Sequence, residues 1–203
     1  MICDAPLNAE IRQAARQIAT GVDSPERMLA LTSLYELTAD RLVRFASSIT
    51  RRPHDAEDAV SAAMLKVAAR PKLLMSADRP WHYLLRMVRN EALVILRTRS
   101  KWSALGMFAE RLSGRMVDLV ERDEESERVW QALSSLPGTQ REVVVLKIWE
   151  QMTFAQIAEV LEITPSTAAS RYRYAIEKLS LKLKDVEVES DSSAERSLAG
   201  GRH

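Results

Sequence analysis

Residues 153–183 constrain the fold more than any other stretch, because they specify two short helices and the turn between them. Thr153 is a preferred N-cap, and Gln156 three residues later completes a capping box, so a helix is expected over 153–161. Glu162, Ile163 and Thr164 form the turn. Pro165 suits a first helical position, where its missing N–H has no partner to lose. The second helix sets Ala168, Tyr172, Ala175, Ile176, Leu179 and Leu183 on one stripe, expected to face a core. Its other face carries Ser166, Thr167, Ser170, Arg171, Arg173 and Lys178. Small polar residues let a helix approach base edges, and arginines can reach phosphate or guanine. This is the pattern of a helix-turn-helix whose second helix enters the major groove. Helical proteins with no DNA also contain two amphipathic helices joined by a turn, and the residues alone leave both readings open. Glu162 stands where such a turn often has glycine, and it is strained if the backbone there needs a positive φ.

The rest of the composition points to an all-α protein. Glycine and proline are few, at 6 and 7 of 203 residues, and strand-like runs are scarce apart from Val143, Val144 and Val145. The formal charge of +1 says little, because the charge is unevenly distributed. With Cys3 as its single cysteine and only 3 histidines, the chain shows no disulfide framework and no metal or cofactor site, and a hydrolase or metalloenzyme is disfavoured. No apolar run reaches the ~18 residues of a membrane span, and the N-terminus lacks the layout of a secretory leader. The expectation is a cytoplasmic protein that is not an enzyme.

In chain order, residues 1–24 read as an N-terminal extension, with Ile11, Ala14, Ala15 and Ile18 on one helical face and Gly21 as a stop. Residues 25–101 read as a first helical domain. Ser24 caps and Pro25 opens a long helix with a stripe through Leu34, Leu42, Phe45 and Ile49 that ends at Arg51, Arg52 and Pro53. Asp55, Glu57 and Asp58 then sit in the first turn of the next helix, matched to its dipole. They read as capping charge or as an acidic patch for a basic partner, rather than as catalytic carboxylates. Residues 70–79 read as a loop, and Pro80 opens a helix through about Ser100. Arg79 through Lys101 carries six basic residues against one acid, Glu91. Trp81, His82, Tyr83 and Asn90 are interleaved with that charge, which suits unstacked bases and single-stranded backbone, or equally a solvated basic face over core aromatics. Residues 102–127 turn acidic and read as a linker, helical toward its end. Residues 128–184 read as a four-helix domain built around the helix-turn-helix, with Thr139 capping its second helix. Residues 185–203 are polar and read as a disordered tail.

Two separated stretches together resemble one family. Arg41, Leu42, Val43, Arg44, Phe45 and Ala46, then Asp55 through Val60, then Trp81 through Asn90, are similar to region 2 of bacterial extracytoplasmic-function (ECF) sigma factors of the sigma-70 family. Leu136, Pro137, Gln140, Arg141, Glu142 and Val143, then Phe154 through Ala158 and Thr167 through Arg171, resemble region 4. The resemblance implies two small helical domains and a dissociable specificity subunit of RNA polymerase. By it, Asp55, Glu57 and Asp58 would contact the β′ clamp helices of core polymerase, and the β flap is a further expected contact. Trp81, Arg86, Arg89 and Asn90 would hold the melted −10 strand. Ser166, Thr167, Ser170, Arg171 and Arg173 would read the −35 duplex. Many relatives are held by an anti-sigma protein, and no motif here names one. This chain departs from the family at Ser61 and Ala62, where Gln and Glu are usual, and at Ala169, where a basic residue is common. Two alternatives remain at this level: a helix-turn-helix regulator that never engages polymerase, and a sigma-like protein-interaction adaptor.

Overall fold

The computed structural model describes residues 5–21, 25–104 and 124–199, and side chains within 5–21, 25–101 and 129–182. Those residues form helices and no strand, in the order α1 (Ala5–Thr20), α2 (Pro25–Thr50), α3 (Pro53–Ala69), α4 (Lys72–Met75), α5 (Pro80–Ala104), α6 (Glu124–Ser134), α7 (Gly138–Ile148), α8 (Phe154–Leu161) and α9 (Pro165–Ala199). The all-α expectation holds.

The first group packs around α2, which touches α1, α3 and α5. Its stripe of Leu34, Leu42, Phe45 and Ile49 is buried, facing Ala56, Ala59, Val60, Ala63 and Val67 of α3 and Leu84, Leu85, Val88 and Ala92 of α5. Short alanines at the α2–α3 seam let the backbones approach closely, so the larger side chains fill the remaining space. Helix α1 buries Ile11, Ala14, Ala15 and Ile18, the face read from the sequence, against α2, α4 and α5. In the second group, α9 packs on α6, α7 and α8, closing over Val143, Val144, Leu146, Ile157, Val160 and Leu161. Trp130 and Trp149 stack with ring centroids 5.6 Å apart.

The helix-turn-helix follows its local signals. The Thr153 side chain accepts from the Gln156 N–H at 3.3 Å, and Gln156 Oε1 accepts from the Thr153 N–H at 2.8 Å, completing the capping box. Glu162 is left-handed, with φ 56° and ψ 47°. A residue with a Cβ costs about 1–2 kcal/mol in that region. Glu162→Gly is therefore expected to stabilise the chain by about 1 kcal/mol, read as a higher urea midpoint. The lost Glu162–Arg86 pair, 3.8 Å apart with both partners well exposed, offsets little of that.

Several boundaries differ from the sequence reading. Helix α3 starts at Pro53, so only Asp55 lies in its first turn. A short helix, α4, interrupts the expected loop over 70–79, closed by Leu74, which is fully buried. Helix α7 begins at Gly138 with Pro137 as its N-cap and no side-chain cap, so Thr139 lies inside it. Ile176, expected inside, is exposed. The tail expected to be disordered is helical through Ala199. Residues 180–199 contain no Pro or Gly to interrupt a helix that begins far upstream, even though Ser is the commonest residue among them. The Ser24 cap, the Leu183 side chain and most of the linker lie outside the described residues.

Candidate nucleic-acid interface

The N-terminal end of α9 presents an unbroken hydroxyl cluster. Thr164 Oγ1 lies 2.9 Å from Ser166 Oγ and 2.8 Å from Thr167 Oγ1, and it accepts from the Thr167 N–H at 3.1 Å. Thr164 thus caps the helix, a role the sequence reading gave to no residue, although Thr immediately before Pro165 is a legible capping signal. Ser166 is exposed, and Thr167, Ser170 and Arg171 are half-buried. Arg173 is exposed, its guanidinium 5.3 Å from the Tyr174 ring centroid. Ala168, fully buried beneath this surface, fixes the helix against α8. Helix N-terminal N–H groups and hydroxyls form an anion-facing surface, with Arg171 one turn further along α9 and Arg173 on a different side of the helix.

The basic face of α5 is arranged differently, because the second group of helices packs against it. Helix α8 contacts α5, and α7 contacts α2. Glu142 Oε2 accepts from Arg89 Nε at 2.6 Å, with only 6% of the Glu142 side chain exposed. Glu150 Oε2 accepts from Arg41 Nη2 at 2.5 Å and Nε at 3.0 Å, and from the Trp81 Nε1–H at 3.2 Å, with its side chain 1% exposed. The Arg41 guanidinium also lies 4.4 Å over the Trp81 ring. Glu159 pairs with Arg79 at 3.2 Å and with His82 at 3.1 Å. Glu162 lies 3.8 Å from Arg86, whose guanidinium is 5.2 Å from the Tyr83 ring centroid.

Of the four residues expected on the melted strand, Asn90 is exposed, Arg86 and Arg89 hold carboxylates, and Trp81 is fully buried. The expectation that Trp81 offers a stacking face is corrected for this arrangement: the side chain is fully buried, with Arg41 over the ring and Glu150 on its N–H. Sequence reasoning missed Arg41, Glu142, Glu150 and Glu159. An acid beside Trp149, or ahead of three valines, was the available signal: on a helix with so much apolar surface, such a carboxylate needs a cation.

Arg141 completes the seam. It is 1% exposed and donates from Nε to the Ser48 carbonyl at 2.5 Å, near the C-terminus of α2. Burial, then the charge of Arg51, lowers its pKa to about 10, partly countered by Glu142. It remains charged at neutral pH and meets the negative end of the α2 dipole.

Of the acids expected to meet a partner protein, Asp55 pairs with Arg99 of α5, Glu57 lies 3.7 Å from His54, and Asp58 is exposed. Ser61 and Leu65, also exposed, continue the same face of α3. No cluster of three or more metal-ligating side chains, and no helix long and apolar enough to cross a membrane, occurs among the described residues.

With this geometry in view, comparison with known proteins is direct. The family profile of Sigma-70 region 2 matches residues 34–101, and that of Sigma-70, region 4, matches residues 126–179. The RNA polymerase sigma-E factor of Streptomyces antibioticus is 24% identical over 176 residues, covering 83% of this chain and 94% of that protein. The ECF RNA polymerase sigma factor SigK of Mycolicibacterium vanbaalenii is 27% identical over 185 residues, covering 86% and 88%. The sigma factor RpoE in complex with the anti-sigma factor NepR from Bartonella quintana superposes with a TM-score of 0.62 at 22% identity, over 75% of this chain and 96% of that one. CnrH in complex with the cytosolic domain of CnrY gives 0.58 at 24% identity, over 87% and 98%. These two likenesses speak for the fold.

Both regions are present, in order, and together span more than half of the chain. The chain belongs to the sigma-70 family and is an RNA polymerase sigma factor of the extracytoplasmic-function group. Its regions 2 and 4 bind core polymerase and promoter DNA to direct initiation, and sigma factors are in general non-enzymatic initiation factors. The regulator and adaptor alternatives give way to this assignment.

Proposed function

We propose a division of labour for the named residues. Ser166, Thr167, Ser170, Arg171 and Arg173 read the −35 element as duplex. Arg86, Arg89 and Asn90, joined by Arg41 and Arg79, hold the melted −10 strand. Asp55, Glu57 and Asp58 dock the chain on the β′ clamp helices, while the second group of helices meets the β flap. The chain acts in the cytoplasm as a dissociable subunit. The proposed domain limits are 25–101 and 128–184, flanking a linker over 102–127.

One observation carries the −10 part of this reading. Three arginines at the start of the α5 face meet carboxylates from the other domain: Arg89 holds Glu142, Arg79, just before α5, holds Glu159, and Arg86 faces Glu162. Carboxylate oxygens here stand in for phosphate oxygens, since the same guanidinium donors serve both. The closed arrangement and the −10 strand therefore compete for one cationic surface. Promoter capture requires the two domains to part, exchanging intramolecular carboxylates for DNA. An anti-sigma protein, such as those bound by the structural neighbours, would act on the same equilibrium by favouring the closed form.

The direct test is run-off transcription with sigma-free core polymerase and genomic fragments, including the region upstream of its own coding sequence. Discrete transcripts dependent on the protein are expected, and their start sites define the promoter. Binding to duplex DNA without any transcript would sink the reading. Arg171→Ala then tests the −35 assignment: binding should weaken, and the slope of log affinity against log salt should fall by about 1. An unchanged slope would remove Arg171 from the phosphate contacts.

A further inference from the structure

The division of labour above gives helix α1 no task, yet two of its polar side chains reach across the fold to a single place. Asn8 Oδ1 accepts from the Trp81 N–H at 2.8 Å. Trp81 is the second residue of α5, and its N–H is one of the helix-start donors that no intrahelical carbonyl can satisfy. Asn8 therefore caps α5 from a helix more than seventy residues away in sequence. One turn on, Arg12 Nη2 donates to the carbonyl of Ala77 at 3.1 Å and to that of Asp78 at 2.5 Å. Ile11, Ala15 and Ile18, buried against the bundle, fix α1 itself, so both side chains act from a helix that is held in place.

The segment held this way has a second face. Ser76, Ala77, Asp78 and Arg79 join His82, Tyr83 and Arg86 in lining an open cavity of about 640 Å³, with Glu159 at its edge. Helix α1 thus bonds the backbone of Ala77 and Asp78, two of the residues that line the cavity. Short connecting segments of this kind have several backbone states unless something outside them removes the choice. Here the three bonds from Asn8 and Arg12 remove it at Ala77, Asp78 and Trp81.

We infer that Asn8 and Arg12 are positioning residues for the −10 pocket. They touch no nucleotide, and they hold the 77–81 backbone in the one conformation in which the cavity wall and the α5 arginines act on the melted strand together. The inference rests on the −10 assignment proposed above. A preset wall spares the strand the entropy of ordering it during capture, so its loss acts on −10 affinity and leaves the −35 duplex and core polymerase contacts as they were.

The test uses holoenzyme and three probes: a fluorescent single strand spanning the −10 region of the promoter found by run-off transcription, the −35 duplex, and core polymerase itself. Asn8→Ala and Arg12→Met are each expected to lower single-strand affinity by about ten- to a hundredfold, the scale of effect from a misplacement of about 1 Å, with the other two affinities unchanged. Asn8→Asp keeps an acceptor at the same place, beside the positive end of α5, and should restore binding. Single-strand affinity at the wild-type level in both loss variants would overturn the inference. So would an equal fall in all three affinities with Asn8→Asp no better than Asn8→Ala, since that marks general scaffolding. If wild-type holoenzyme itself fails to bind the strand, the −10 assignment falls first and carries the inference with it, an outcome distinguished because the wild type is measured before any variant.

Discussion

Glu150→Lys is expected to separate the two domains of the free chain while leaving each folded. The carboxylate it removes is almost wholly enclosed and accepts from Arg41 and from the Trp81 indole. A lysine there sets an ammonium against the Arg41 guanidinium. Breaking a buried pair costs about 3–5 kcal/mol, mostly from the charge left without a partner. The Arg41 side chain is 31% exposed and can turn partly to water, so about 2–4 kcal/mol is the expected shift toward the open form. Each 1.4 kcal/mol is about a factor of ten in population, so a closed ensemble becomes largely open. Small-angle scattering should report a larger radius of gyration, with helical content by circular dichroism unchanged. An unchanged radius would mean that the remaining contacts, Arg89 with Glu142 and Arg141 with Ser48, suffice for closure. The functional corollary is tighter capture of a −10 single strand by the free variant.

Trp81→Ala is expected to produce the largest loss of folding stability among single changes at the seam, about 3–5 kcal/mol. The ring is fully buried, lies beneath the Arg41 guanidinium and donates to Glu150. Truncation leaves a cavity, removes a cation–π contact and takes one donor from a buried carboxylate. Trp81→Phe keeps most of the volume and should recover most of the stability, losing about 1 kcal/mol for the missing donor. Urea unfolding distinguishes them. A Trp81→Ala midpoint near that of the wild type would show that the residue is not part of the packed core, and would return it to the role of a free stacking face.

The physical scale of a signal governed its legibility in the sequence. The capping box of Thr153 and Gln156, the turn at Glu162 and the first-turn Pro165 are local chemistry, and local chemistry survives into the fold because few distant contacts compete with it. The stripe of α1 was legible for the same reason. Its purpose was not, since Asn8 and Arg12 act on carbonyls and an N–H some seventy residues away. The carboxylate seam was hidden likewise. Glu142 in α7 and Glu150 just past its end read as ordinary surface charge, and only the docking of α7 on α2 shows them facing Arg89 and Arg41. Trp81 illustrates the converse. An aromatic beside arginines fits a nucleic-acid face and a packed seam equally well, and tertiary burial decides between them. The helical tail was misread because polarity was weighed above the absence of helix breakers. Residues 182–199 are polar, yet no Pro or Gly interrupts the helix that enters them.

The measurement that bears most directly on the competition between carboxylates and DNA is the interdomain distance in solution. Dyes can be attached to cysteines placed at Leu29 of α2 and Leu181 of α9, both well exposed, with Cys3 replaced by serine. Energy transfer should report one short distance for the free chain. It should give way to a longer one when core polymerase and promoter are added together, and to an intermediate population with the −10 single strand alone. A distance that stays short in an actively transcribing complex would contradict the account, because the same arginines cannot hold Glu142, Glu159 and the promoter strand at once.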